Sequence, residues 1–136
     1  MDSSADLPPD LANGLILTIL KNLRPAVKET RVSFVATTSK PRLVKLLITP
    51  EGKETFSAAG WRHASIHYRV KVELGGVAKA VAPLVGKQPQ DTHVWILGGK
   101  APAFVKMEGP LYQGGPVWRV EPSSPVWLRG PATVDQ

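Results

Sequence analysis

The chain contains no cysteine, which removes a disulfide framework, thiolate metal sites and a cysteine nucleophile from consideration. It also lacks a long hydrophobic run. The longest apolar stretch near the start, Leu15 to Leu20, is interrupted by Thr18 and follows Asp2, Asp6 and Asp10, the wrong charge for a signal peptide and too short for a bilayer span. Neither export nor a membrane span is expected of the chain as written. Acidic residues are scarce, 11 against 17 Lys and Arg, so the formal charge of +6 can attract polyanions or an anionic surface at long range. No run of five basic residues occurs, and the nearest approach to a cluster is Arg62, His63, His67, Arg69 and Lys71.

Signatures of catalysis are missing as well. There is no Gly-x-Ser-x-Gly elbow and no recognisable triad order, and Asp91 beside His93 reads as the polar start of a strand. The paired glycines lack the Gly-x-Gly-x-x-Gly spacing of a phosphate loop and read as turns. His63 and His67 would share one face of a helix, but their segment alternates with period 2, which sets them roughly 13 Å apart. That is too far for one zinc ion with ligands at about 2 Å. His93 can approach one of them across a sheet, but no acidic residue stands beside it at a ligand spacing. A non-enzymatic protein with no metal and no cofactor is the expectation.

What the chain does contain is an ordinary globular composition, 43% hydrophobic and 21% charged over 136 residues, enough for one core. Thirteen prolines and 12 glycines fall mostly between apolar runs, where they punctuate short strands. Leu11, Leu15, Ile16, Ile19, Leu20 and Leu23 recur at helical spacing and predict one amphipathic helix, with Asp6, Pro8 and Pro9 suiting its start and Pro25 its end. The period then changes to 2. Arg31 to Thr38 and Arg42 to Thr49 read as strands joined through Ser39, Lys40 and Pro41, and Pro50, Glu51, Gly52 and Lys53 read as a turn into a short strand at Thr55 to Ser57.

From Trp61 to Leu74, Ala64, Ile66, Tyr68, Val70, Val72 and Leu74 share one face, while Trp61, His63, Ser65, His67, Arg69, Lys71 and Glu73 share the other. This predicts a half-buried antiparallel strand whose second face is wet or lines a polar opening. Val77 to Val85 reads as a short helical cover or a loop, and His93 to Leu97, Ala103 to Glu108 and Val117 to Glu121 as three further strands. Gly98 with Gly99 and Gly114 with Gly115 fit hairpin turns.

The expected fold is α+β and mostly β: a curved, half-barrel-like antiparallel sheet of six or seven strands wrapped on one N-terminal amphipathic helix over about residues 11–23. Residues 1–121 form a single domain, and 122–136 an extended or frayed tail in which Val126, Trp127 and Leu128 can still pin part to the body.

The stretches Thr92-His-Val-Trp-Ile-Leu-Gly-Gly, Ala101-Pro-Ala-Phe-Val-Lys-Met-Glu-Gly-Pro-Leu-Tyr and Gly114-Gly-Pro-Val-Trp-Arg-Val-Glu, with Asp6-Leu-Pro-Pro-Asp-Leu-Ala-Asn-Gly at the opening, resemble an uncharacterised family of bacterial, envelope-associated β-rich proteins. The resemblance covers most of residues 6 to 121 and carries no site residues or activity. More broadly, the arrangement is similar to half-barrel domains that carry lipoproteins or lipids, which implies an apolar concave face and a place in the periplasm or cell envelope. It also implies a larger parent sheet whose separated half leaves an edge or an apolar patch exposed.

Three functional readings follow. The first is binding of an apolar, lipid-like ligand on the concave face, with Leu15, Ile19 and Leu23 of the helix and Trp95, Phe104 and Trp118 of the late strands as lining residues, against the plainer alternative that all six are core. The second is a structural or protein-interaction module that docks a partner or a second copy by strand addition at a sheet edge or through the tail from Pro122. The third is weak, salt-dependent polyanion binding through Arg62, His63, His67, Arg69 and Lys71.

Overall fold

The computed structural model describes residues 8–24, 26–36, 42–73, 90–111 and 115–123. The expectations for Asp6, Pro25, the Ser39–Pro41 joint, Leu74, the 77–85 segment, Gly114 and the tail beyond residue 123 lie outside these residues.

Helix α1 (Ile16–Asn22) is followed by strands β1 (Thr30–Ala36), β2 (Arg42–Ala58), β3 (Trp61–Glu73), β4 (Thr92–Leu97), β5 (Phe104–Pro110) and β6 (Val117–Val120). The strands pair in sequence order, every neighbour antiparallel, and β1 does not meet β6, so the sheet is an open six-stranded meander. No described helix is long and apolar enough to cross a membrane.

The helix is shorter than its periodicity predicts because the residues before it are committed to the sheet edge. Leu11 forms a parallel bridge with Ser33 of β1. The Ser33 N–H donates to the Asp10 carbonyl at 3.0 Å, and the Ala12 N–H donates to the Ser33 carbonyl at 2.8 Å. The Asn13 side chain accepts from the Val35 N–H at 2.6 Å and donates to the Val35 carbonyl at 2.8 Å. The Asp10 carboxylate accepts from Ser33 Oγ and Lys45 Nζ, each at 2.8 Å, contacts that hold it below the usual carboxylate range. Together these bonds hem the β1 edge. At its other end α1 stops where Leu23 turns extended, with φ −71° and ψ 139°.

One face of the sheet carries the core. Leu20 of α1 packs with Val32, Leu46, Ile48, Tyr68, Val70, Val94 and Ile96, and Ile16, Ile19 and Leu23 close over them. Each fully buried aliphatic or aromatic side chain here contributes about 1.5–3 kcal/mol by leaving water, enough to hold a helix of only seven residues that would not persist alone.

The expected turn at Pro50–Lys53 does not form. β2 runs through it as a 17-residue strand, and β3 pairs with it from Ala58↔Trp61 to Lys45↔Glu73. The extra residue is absorbed by a bulge between Pro50 and Gly52, where Gly52 takes φ +144°, a conformation open to glycine. The chain reverses instead at Ala59 and Gly60, both at positive φ (51° and 78°), as a two-residue type I′ hairpin requires. The predicted strand at Thr55 to Ser57 is therefore the far half of β2, which leaves six strands rather than seven.

Candidate functional site

The bulge determines what the second face of the sheet displays. Before it, Leu46 and Ile48 point to the helix side; beyond it the parity reverses, and Glu54 and Phe56 stand opposite Ser65 and His63 on the face away from α1. A second irregularity pairs Trp95 with Lys106 but Ile96 with Phe104, leaving Val105 as the inserted residue. Val105 joins Trp95 and Leu97 in a separate small apolar cluster, against which Phe56 and Ala103 pack.

Register places His67, Trp95 and Lys106 in one row across β3, β4 and β5. The His67 ring stacks on the Trp95 indole at 4.4 Å with 9° between planes, and Lys106 Nζ stands 4.1 Å from the indole centroid. Trp95 Nε1–H donates to Glu54 Oε2 at 2.6 Å, and the other oxygen of that carboxylate lies 3.4 Å from His67 Nδ1. His67 Nε2 and His93 Nδ1 share a hydrogen bond of 2.8 Å. A carboxylate only accepts, so Glu54 favours a proton on His67 Nδ1, and His93 Nδ1–H then donates to His67 Nε2.

Burial pushes His67 below the ordinary histidine value; His93 and Lys106 push the same way, while Glu54 and Glu51 oppose them. Ser65 Oγ–H is donated to the Glu54 carbonyl at 3.2 Å. Among the described residues no three His, Asp or Glu side chains converge as a metal cage.

Beside this row lies a cleft of about 360 Å³, open to solvent on one side. Trp95, Phe56 and Val105 supply its apolar surface; Glu54, Ser65, Lys106, Arg119 and Glu121 supply its polar surface. Residues of all five strands from β2 to β6 touch it, so the sheet curls around the cleft at this end. At the rim Arg119 Nε donates to Glu121 Oε1 at 2.6 Å.

The six residues expected to line an apolar ligand site do not share one cavity. Ile19, Leu23 and Phe104 pack against the core on the helix side, Leu15 is 54% exposed, and Trp118 is 50% exposed on β6 opposite Gly109. Trp95 alone reaches the cleft, on the opposite face.

The five basic positions do not form one patch either. Arg69 is held by Glu51 at 2.9 Å and approaches Asp91 at 3.9 Å, His63 stacks on Phe56 at 5.3 Å, and His67 belongs to the Trp95 row. Arg62 has the opposite strand parity from the other four and pairs with Ser57, while Lys71 is exposed on the strand opposite Leu47. Sequence reasoning anticipated the approach of His93 but missed Glu54 and Lys106; the one available signal was Gly52 between the run Arg42 to Thr49 and the short strand at Thr55 to Ser57, which marks a bulge as readily as a turn.

Comparison of the chain with protein-family models, curated proteins and solved structures finds no match.

Proposed function

We propose that this is a non-enzymatic binding domain whose site is the concave cleft on the sheet face away from α1. It takes a small amphipathic, lipid-like molecule, with its apolar body against Trp95, Val105 and Phe56 and its polar end at Lys106 and the Arg119–Glu121 rim. The observation that carries this reading is the combination of a 360 Å³ volume with an aromatic floor and a few convergent polar groups, the usual composition of a small-molecule site. The helix-side core offers no comparable support, since Ile48, Tyr68, Val94 and Leu20 fill it at 0–2% exposure.

The test uses anilinonaphthalene sulfonate, a planar apolar body with one anionic group, titrated against the purified protein, together with mass spectrometry of a denaturing extract. Saturable one-to-one binding that disappears in Val105→Trp, which fills the cleft, while Leu15→Ser leaves it intact, is the expected outcome. Equal binding by the wild type and Val105→Trp, or none by either, would refute the cleft as the site.

A further inference from the structure

The imidazoles of His67 and His93 hold a geometry that the cleft does not use. They stand at diagonal positions of β3 and β4 with their rings tilted 45° to each other, so that nitrogen meets nitrogen: His67 Nε2 lies 2.8 Å from His93 Nδ1. Two nitrogens each about 2.0 Å from one ion at a right angle lie about 2.8 Å apart, as in the tetragonal coordination that Cu(II) favours, whereas tetrahedral zinc would set them about 3.3 Å apart. His67 is also oriented as ligand histidines are. Its Nδ1 lies 3.4 Å from Glu54 Oε1, and a carboxylate at the far nitrogen fixes the tautomer that leaves Nε2 to coordinate. The Trp95 indole, stacked on the ring at 4.4 Å, holds that orientation. Burial keeps His67 below the ordinary histidine value, so at neutral pH the imidazole is in the uncharged form that ligates.

From this geometry we propose that His67 Nε2 and His93 Nδ1 form a two-nitrogen site for a divalent copper ion, with water in the remaining positions. The ion takes the place of the hydrogen bond between the rings. His93 moves its proton from Nδ1 to Nε2 through solvent, so both imidazoles bind as neutral ligands and neither loses a proton. Water can complete the coordination because the His67 side chain keeps 17% of its surface exposed. The surrounding charge favours a cation: the carboxylates of Glu51, Glu54, Asp91 and Glu108, on or beside the flanking strands, outnumber the cations Arg69 and Lys106. His63, the third histidine, stays apart, stacked on Phe56.

The test is calorimetric titration of the full chain with Cu(II) in a non-coordinating buffer, together with low-temperature electron paramagnetic resonance of the loaded protein. The expected result is one-to-one saturation, a tetragonal spectrum with superhyperfine structure from two nitrogens, and an affinity for Cu(II) at least about tenfold above that for Zn(II). His67→Phe and His93→Ala should each weaken binding at least about tenfold and remove one nitrogen from the spectrum, while His63→Ala should change neither. Far-ultraviolet circular dichroism checks that each variant is folded. Saturation that His67→Phe and His93→Ala both retain, a spectrum that responds to His63→Ala, a preference for zinc, or no saturable binding of copper would overturn the proposal.

Discussion

On the side of the sheet that carries α1, Leu20, Ile48, Tyr68 and Val94 are each no more than 2% exposed, whereas on the other side the most buried aromatic group, Trp95, is 7% exposed and bonded to a half-exposed carboxylate. The same strands supply both faces. The helix dries the first, so apolar side chains suffice there. On the second, where no described helix packs, polar groups must satisfy one another: Glu54 takes the indole N–H, and His67 shares a hydrogen bond with His93. An open face of this kind keeps room for a ligand only because neighbouring strands curl around it.

The contrast can be broken most severely from the dry side. Ile48→Ala, at a residue that is 0% exposed, is expected to cost about 3 kcal/mol in urea denaturation while the folded fraction still binds the naphthalene probe. A cost under about 1 kcal/mol would mean that this face tolerates a cavity as a loosely packed layer does.

Gly52→Ala acts on the device that sends Glu54 and Phe56 to the wet side. Nothing lies within 4 Å of the added Cβ, so the cost comes from φ +144° alone and should be about 1–2 kcal/mol. An unchanged urea midpoint would show that the bulge accepts a side chain.

A smaller effect is read as a pH slope. His67 has its folded pKa below the reference value of 6.5, so the folded state binds fewer protons than the unfolded state as pH falls through that region. Its contribution is therefore present above about pH 6.5 and lost as pH falls through the lowered folded value. Between pH 7.5 and 5.5 the wild-type urea midpoint should fall more steeply than that of His67→Phe, which keeps a ring on Trp95 but removes the titrating group. Parallel slopes would exclude His67 as the source.

The smallest change has the opposite sign. Ala59→Gly relieves a left-handed alanine at the β2–β3 turn, partly offset by glycine's greater freedom when unfolded, for a net gain of about 0.5 kcal/mol. A destabilised variant would mean that the positive φ carries no strain.

Much of this arrangement was legible before any coordinates. The alternation from Trp61 to Glu73 separates Ile66, Tyr68, Val70 and Val72 from His63, His67, Arg69 and Lys71, and β3 follows that division. β4, β5 and β6 lie within a residue or two of where their apolar runs place them. The errors have local causes. Leu11 and Leu15 fit the helical period, but Leu11 is spent bridging Ser33 and Leu15 precedes the first helical residue. Pro50-Glu-Gly-Lys has the chemistry of a turn, yet a 13-residue partner strand keeps β2 extended through it. Ala59 carries no turn signal, because alanine seldom takes positive φ.

The sequence by itself determined which residues of each strand lie together on a face, since the pleat repeats every two residues and needs no distant partner. It also determined that one amphipathic segment near the start would cover one of those faces. Only the tertiary structure decided that Glu54, His67, His93, Trp95 and Lys106 meet, because their meeting depends on strand order, on register and on the two bulges that reset parity. Those are properties of strand pairs, and a single residue inserted on one side of a pair sends every later side chain of that strand to the opposite face.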